Sequence, residues 1–196
     1  MNLLLISRCE EKLQATAAGI QRQHGVQCKY YRMDLAESAA FTTDEKIWSD
    51  LRELIDSLDV GVLVNCAGIC YSFPERFEDL DDLTLHSIPA VNISSLAKMT
   101  YVVLPGMSKR KRGVIINVSS VAATRTSDGA PLTALYSASK AFVDFFSLSI
   151  AKECRRDGVL VQVGHCSSYL GRALQSTMPA WLQQTVHDHS TWASSR

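Results

Sequence analysis

The sequence predicts an α/β fold built on a mostly parallel sheet. Three observations carry that prediction. Short, continuously apolar runs, such as residues 60–65 and 113–118, read as strands buried on both faces. Amphipathic segments of helical period separate them. Where the runs end, polar residues gather that a core strand would not supply: Ser7-Arg8, Asp34-Leu35, Asn65-Cys66-Ala67-Gly68 and Asn117-Val118-Ser119-Ser120. In an open parallel sheet, ligands bind beyond the carboxyl ends of the strands.

In chain order, residues 2–7 form an apolar run that opens at the amino terminus, and 10–23 read as a helix with a polar outer face, closed by Gly25. Residues 26–33 are a second strand, 43–58 a second helix and 60–65 a third, buried strand. Residues 69–82 read as a loop whose acidic cluster, Asp79, Asp81 and Asp82, is a solvated face. Residues 83–107 are helical, broken near Pro89 and ended by Pro105-Gly106. The basic run Lys109-Arg110-Lys111-Arg112 follows, at the end of a helix and before a buried strand, and reads as a solvated cap rather than a phosphate or nucleic-acid site. A strand at 113–118, a polar loop at 124–133, a helix to about 156 and a last strand at 159–164 complete the series. No internal repeat or low-complexity segment interrupts it.

The composition suits one domain over residues 1–196: 46% of residues are hydrophobic and 20% charged. A formal net charge of zero gives no footprint for a nucleic-acid partner. Six cysteines, Cys9, Cys28, Cys66, Cys70, Cys154 and Cys166, form no Cys-x-x-Cys pair and read as reduced thiols of an intracellular protein. No apolar run approaches the roughly 20 residues of a membrane span. The sequons at Asn92 and Asn117 carry no weight in such a chain. His187-Asp188-His189 lacks a further ligand in view, so no metal is expected, and no Gly-x-Ser-x-Gly elbow supports a serine hydrolase.

The chemistry centres on Tyr136-Ser137-Ala138-Ser139-Lys140, which begins an apolar helix. Tyr136 and Lys140 stand one turn apart on one face. A phenol with an ordinary pKa of about 10 exchanges protons poorly near neutrality; an ammonium one turn away is expected to lower that value toward the range of general acid-base catalysis.

With these residues on the page, the sequence resembles the short-chain dehydrogenase/reductase family. Asn65-Cys66-Ala67-Gly68 is similar to its Asn-x-Ala-Gly motif, Asn92 to its helix asparagine, Ser120 to its catalytic serine and Tyr136 to Lys140 to its Tyr-x-x-x-Lys. Within the family, residues 2–8, 74–77, 103–107 and 112–117 resemble the branch of 17β-hydroxysteroid dehydrogenases and very-long-chain 3-oxoacyl-CoA reductases. The likeness runs over about residues 1–165. It implies a Rossmann-like, doubly wound parallel sheet in three αβα layers and an NADP(H)-dependent oxidoreductase acting on a keto group of a lipid, such as a 3-oxoacyl-CoA or a keto-steroid.

The roles it implies are specific. Tyr136 would protonate the carbonyl oxygen as hydride attacks the carbon, and Lys140 would depress the Tyr136 pKa and hold the nicotinamide ribose. Ser120, with Ser119 as the alternative, would hold the carbonyl oxygen, and Asn92 would anchor a water linking Lys140 to solvent. Ser7 and Arg8 end the first strand with no carboxylate before Glu10, which favours NADP(H) over NAD, the other reading of Arg8 being a surface charge. Asp34 would contact the adenine, Asn65 would border the cofactor groove, and Ala67-Gly68 would let the backbone approach it. A homodimer and an endoplasmic-reticulum location fit the branch; a cytoplasmic one fits a chain complete as it stands.

The departures matter equally. No Gly-x-Gly-x-x-Gly cluster is present, and the first residues already match the family's second strand, so the sequence is expected to be an amino-terminally truncated fragment beginning at an internal methionine. The missing strand would lie between those at 2–7 and 60–65, leaving unpaired backbone groups at roughly 1 to 3 kcal/mol each where buried. Residues 120–136 are longer than usual, Gly164-His165-Cys166-Ser167-Ser168-Tyr169 replaces the family's proline motif, and no final strand is evident. The alternative to an enzyme is therefore a non-catalytic truncated paralogue that binds no cofactor and serves a partner.

Overall fold

A computed structural model describes residues 1–38, 45–124 and 130–166. The chain opens on β1 (Leu3–Ser7), whose alternation sends Leu3 and Leu5 to one face and Ile6 to the other. α1 (Glu10–His24) follows, with Glu10 and Glu11 in its first turn and Arg22 and His24 in its last, each complementing the helix dipole. It buries Leu13, Ala17 and Ile20, and it stops at Gly25, whose left-handed φ of 64° lets its N–H reach the Gln21 carbonyl at 3.0 Å. β2 (Cys28–Arg32) then runs parallel to β1, pairing Leu3 with Cys28 through Ser7 with Arg32. The short α2 (Leu35–Ser38) starts on Asp34, whose Oδ1 accepts the Ala36 N–H at 2.8 Å, and α3 (Glu45–Asp56) buries Trp48, Leu51 and Ile55.

β3 (Val62–Asn65) leads into a long connection containing a 3₁₀ turn at Phe77–Asp79. α4 (Asp82–Pro89) is capped by Asp81, whose carboxylate accepts the Thr84 N–H at 2.6 Å. The predicted break near Pro89 is a π-helical turn, Ala90–Ser94, rather than a gap. The expectation that Pro105-Gly106 ends the following helix is corrected: α5 (Ser95–Arg110) passes through Pro105 for another turn. Buried Val102, Val103 and Met107 on one face hold that turn against the sheet despite the lost backbone donor. β4 (Gly113–Ser120), α6 (Val121–Thr124), α7 (Ala134–Glu153), a 3₁₀ turn (Cys154–Asp157) and β5 (Val159–Cys166) complete the described chain. β4 and β5 each run two residues beyond their predicted ends, because their parallel ladder continues to Ser120 and Cys166.

All ladders are parallel, in the orders β1-β2 and β3-β4-β5. Among the described residues no ladder joins β1 to β3, the place where the sequence predicts a missing strand. One core nevertheless spans both sheets: Ile6, Tyr31 and Met33 pack in the cluster formed by Leu63, Ile115 and the inner faces of α3 and α5. On the opposite face of β1, Leu3 and Leu5 pack with Ala17 and Ile20 of α1. Helices thus cover both sides of the sheet region, the layered Rossmann-like arrangement that the sequence predicts. No described helix is long and apolar enough to cross a membrane.

The basic run is a tie between elements. Arg110 and Arg112 both pair with Asp59, which precedes β3, and the Lys111 Nζ lies 2.6 Å from Asp157. Beneath it Gly158 adopts φ +68°, and a Cβ there would lie 2.2 Å from the Lys111 carbonyl oxygen. Gly158→Ala is accordingly expected to cost about 1 to 3 kcal/mol, read as a lowered urea midpoint with an unchanged m-value.

Candidate active site

The floor of the site is a buried amide network. Asn65, the last residue of β3, is the ladder partner of Asn117 in the carboxyl half of β4. The Asn65 amide donates to Asn117 Oδ1 at 2.8 Å and to Thr100 Oγ1 at 3.3 Å, and the Asn117 amide donates to Ser147 Oγ at 2.8 Å. Both hydroxyls in turn donate to carbonyls one turn back on their own helices, so the strand ends are locked to α5 and α7. The Asn65 side chain is therefore turned into the interior; what it leaves for a ligand is the turn that follows it.

That turn is held by Asn92, which is 1% exposed. Its Oδ1 accepts the Ile69 N–H at 2.8 Å, while its amide donates to the Ile69 carbonyl at 2.9 Å and to Ser139 Oγ at 2.9 Å. Ser139 donates on to the Tyr136 carbonyl at 2.6 Å. One side chain on the π turn thus couples the turn after β3 to the start of α7. A second lone pair on Oδ1 is the only position its side chain has left for a water.

Lys140 is buried, and its Nζ donates to the Val118 carbonyl at 3.0 Å. A Cβ added at Gly68 would stand 3.2 Å from that Nζ and 3.5 Å from Asn92 Oδ1, so any side chain there would press on the ammonium. Burial pushes the Lys140 ammonium below its ordinary value; Cys166, Cys66, Cys70 and Asp144 act in the other direction. The Ser120 hydroxyl faces the Tyr136 phenol and favours its ionised form. Ser120 Oγ accepts the Ala122 N–H at 3.2 Å, which leaves its own hydrogen to donate to a ligand oxygen.

The expected effect of Lys140 on Tyr136 is corrected. Burial pushes the Tyr136 phenol up from its ordinary value, the Ser120 hydrogen bond draws it partly back, and Cys70 and Cys166 push it further up. The Lys140 Nζ lies 5.9 Å from the centroid of the Tyr136 ring, over its face, and directs one of its three N–H groups to the Val118 carbonyl. One turn of spacing set the two side chains on one face but did not bring the ammonium to the hydroxyl.

The geometry brings together Asn92, Ser120, Tyr136, Lys140 and Gly68. Ser119 points elsewhere: it is buried and donates to the Lys140 carbonyl at 3.1 Å, which removes it as the alternative hydroxyl. Ser7, Arg8 and Ala67 are exposed, the first two at the carboxyl end of β1 and Ala67 after β3. Asp34 stands just past the end of β2, with one carboxylate oxygen engaged by the start of α2. Together they line the carboxyl ends of β1 to β4.

A family model described as short chain dehydrogenase matches residues 1–178. The chain belongs to the short-chain dehydrogenase family. Among similar proteins is a very-long-chain 3-oxoacyl-CoA reductase of Anas platyrhynchos, 44% identical over 164 residues, covering 83% of this chain and 50% of that one. Another is the human "Inactive hydroxysteroid dehydrogenase-like protein 1", 38% identical over 162 residues, covering 83% of this chain and 46% of its own. Among solved structures, a metagenomic short-chain oxidoreductase in complex with NADP superimposes with a TM-score of 0.71 at 26% identity, over 84% of this chain and 70% of that chain. The chain spans about half the length of the curated relatives it matches.

Other members of this short-chain dehydrogenase's site were not legible in the sequence. His165 Nε2 lies 2.9 Å from Asp144 Oδ2 and ties the end of β5 to α7, one turn beyond Lys140. Ser139, the Val118 carbonyl and Ile69 also belong to the framework. Asp144 at i+4 from Lys140 was the available signal for the first. Ser167, Ser168, Tyr169 and the His187-Asp188-His189 stretch lie outside the described residues.

Proposed function

We propose that residues 1–196 form one partial dehydrogenase domain that reduces a keto group, or oxidises the corresponding alcohol, of a lipid substrate such as a 3-oxoacyl-CoA or keto-steroid, using NADP(H). The single observation that carries the reading is the buried Lys140 standing over the Tyr136 ring beside Ser120, with Asn92 bracing both sides of the cluster.

The residues present fit such a cofactor in part. Arg8 is an exposed cation at the carboxyl end of β1, suited to a 2′-phosphate; Lys140 would hold the ribose beside Gly68, whose missing Cβ keeps the approach open; Asp34 and Ser7 border the adenine side. The sequence offers no glycine-rich turn for the pyrophosphate. NADPH, when bound, supplies the hydride. The chain's own residues do the rest. Ser120 and Tyr136 present two hydroxyls to a carbonyl oxygen, and as charge builds there Tyr136 releases its proton to it. Lys140 donates one N–H to the Val118 carbonyl and would keep the others for the ribose. The second lone pair of Asn92 Oδ1 offers a place for the water that resupplies the proton.

The substrate class rests on likeness to very-long-chain 3-oxoacyl-CoA reductases. A homodimer, and an endoplasmic-reticulum location for the protein, belong to the same reading; Phe145, 75% exposed, and exposed Leu148 on α7 support the dimer. The test is NADPH oxidation by the purified chain against a panel of 3-oxoacyl-CoA and keto-steroid substrates, with Tyr136→Phe as the control. Turnover lost in that variant supports the reading, and no turnover on any substrate sinks it.

A second reading, a non-catalytic paralogue serving a partner, is favoured by the lack of a ladder between β1 and β3 among the described residues and by likeness to a protein whose name calls it inactive. A folded chain that binds no NADPH would support it.

A further inference from the structure

The first turn of α7, which carries Tyr136, is not capped by its own N-cap residue. Thr133 precedes the helix with φ −138° and ψ 30°, and its side chain takes none of the turn's N–H groups. The Thr133 hydroxyl donates instead to the Ala130 carbonyl at 3.2 Å and lies 3.1 Å from Ser137 Oγ. The orphan Leu135 N–H goes to the Tyr71 hydroxyl at 2.9 Å, a partner 64 residues upstream in the connection after β3. Tyr71 is buried. A second tie joins the same two segments: the Glu75 N–H donates to the Leu132 carbonyl at 3.1 Å. Leu132 holds a left-handed φ of 64°, a conformation that a residue other than glycine keeps only where its surroundings over-determine it. Residues 71–75 thus strap residues 132–135, and Tyr136 is the next residue along.

We propose that Tyr71 is a positioning residue for the Tyr136 general acid: it caps α7 from outside the helix and so fixes the backbone from which the Tyr136 phenol projects. This role rests on the proposed function, in which Tyr136 is the acid, and adds to it a residue that acts through Tyr136. The Tyr71 oxygen engages the backbone one residue before Tyr136. The groups that act on the phenol itself are Ser120 at the end of β4, Cys70 in the connection, Cys166 at the end of β5 and Lys140 over the ring. Removing the Tyr71 oxygen therefore reaches the phenol by loosening the turn. Without its cap the first turn of α7 frays and the phenol gains solvent. Its pKa then falls toward the ordinary value, because burial is what holds it up. The reacting hydroxyl also loses the fixed placement on which proton transfer depends.

The test is Tyr71→Phe, which removes one oxygen and keeps the ring in its buried place. The chain is labelled with carbon-13 at tyrosine Cζ for a pH titration by nuclear magnetic resonance, and the Tyr136 signal is assigned by its loss in Tyr136→Phe. Tyr136 is expected to titrate at lower pH in Tyr71→Phe than in the wild type. The Leu135 amide is expected to exchange with solvent at least about tenfold faster in the variant. Keto reduction should lose about tenfold in kcat with KM for NADPH unchanged. Added to Tyr136→Phe, the same substitution should cost nothing further, since its effect runs through that phenol. A Tyr136 titration indifferent to Tyr71→Phe, or a kcat loss that persists on the Tyr136→Phe background, overturns the proposal. So does a wild-type Leu135 amide that exchanges as fast as an unbonded one, a result that decides the question even if Tyr71→Phe fails to fold. A chain that turns over no keto substrate yet shows the shifted Tyr136 titration loses the reductase reading and keeps the hold of Tyr71 on Tyr136.

Discussion

Replacing Tyr136 with Phe is expected to lower keto reduction by about 10² to 10⁴-fold, the usual worth of a positioned general acid, while NADPH binding and the unfolding midpoint stay near wild type. The substitution removes one oxygen. Ser120 keeps the Ala122 N–H and Lys140 keeps the Val118 carbonyl, so the framework survives. The pH dependence follows from the raised Tyr136 pKa, whose first cause is burial. An acid with a raised pKa keeps its proton to higher pH, so the reductive rate should hold through neutrality and decline only above the ordinary phenol value of about 10. Alcohol oxidation needs the phenolate and should rise over that same alkaline range. A reductive rate that falls between pH 6 and 8 would mean that Lys140 sets the phenol's titration after all.

The second large effect is structural. Asn92→Leu is expected to destabilise the chain by about 3 to 5 kcal/mol, because it leaves the Ile69 N–H and carbonyl and the Ser139 hydroxyl without their partner in a buried place. Urea unfolding reads it directly. A loss below about 1 kcal/mol would show that the turn after β3 is held by something other than this side chain. Hydrogen exchange separates the two cases further, since the Ile69 amide should lose protection before those of β4.

Much of this was legible in the sequence, for identifiable reasons. Strand and helix types followed from apolar runs and helical periods, and Gly25 marked its helix end because only a left-handed residue closes α1 there. The carboxyl-end rule gathered Arg8, Asp34, Gly68 and Ser120 before any coordinates. The basic run read as a cap, and Asp59 and Asp157 take up its charges. The helix end at Pro105 was misjudged, since a single proline weighs less than Val102, Val103 and Met107 packed on the core. The Tyr136 titration was misjudged for a related reason: spacing reports which face a side chain shares, whereas the desolvation that dominates here depends on everything packed over it.

The most direct test of the central claim is a fluorescence titration of NADPH into the purified 196-residue chain, alongside Arg8→Glu. Saturable binding, weakened at least about tenfold by that charge reversal while the far-ultraviolet circular dichroism is unchanged, is the predicted result. A folded chain that shows no saturable binding, or one whose affinity is indifferent to Arg8→Glu, would contradict it.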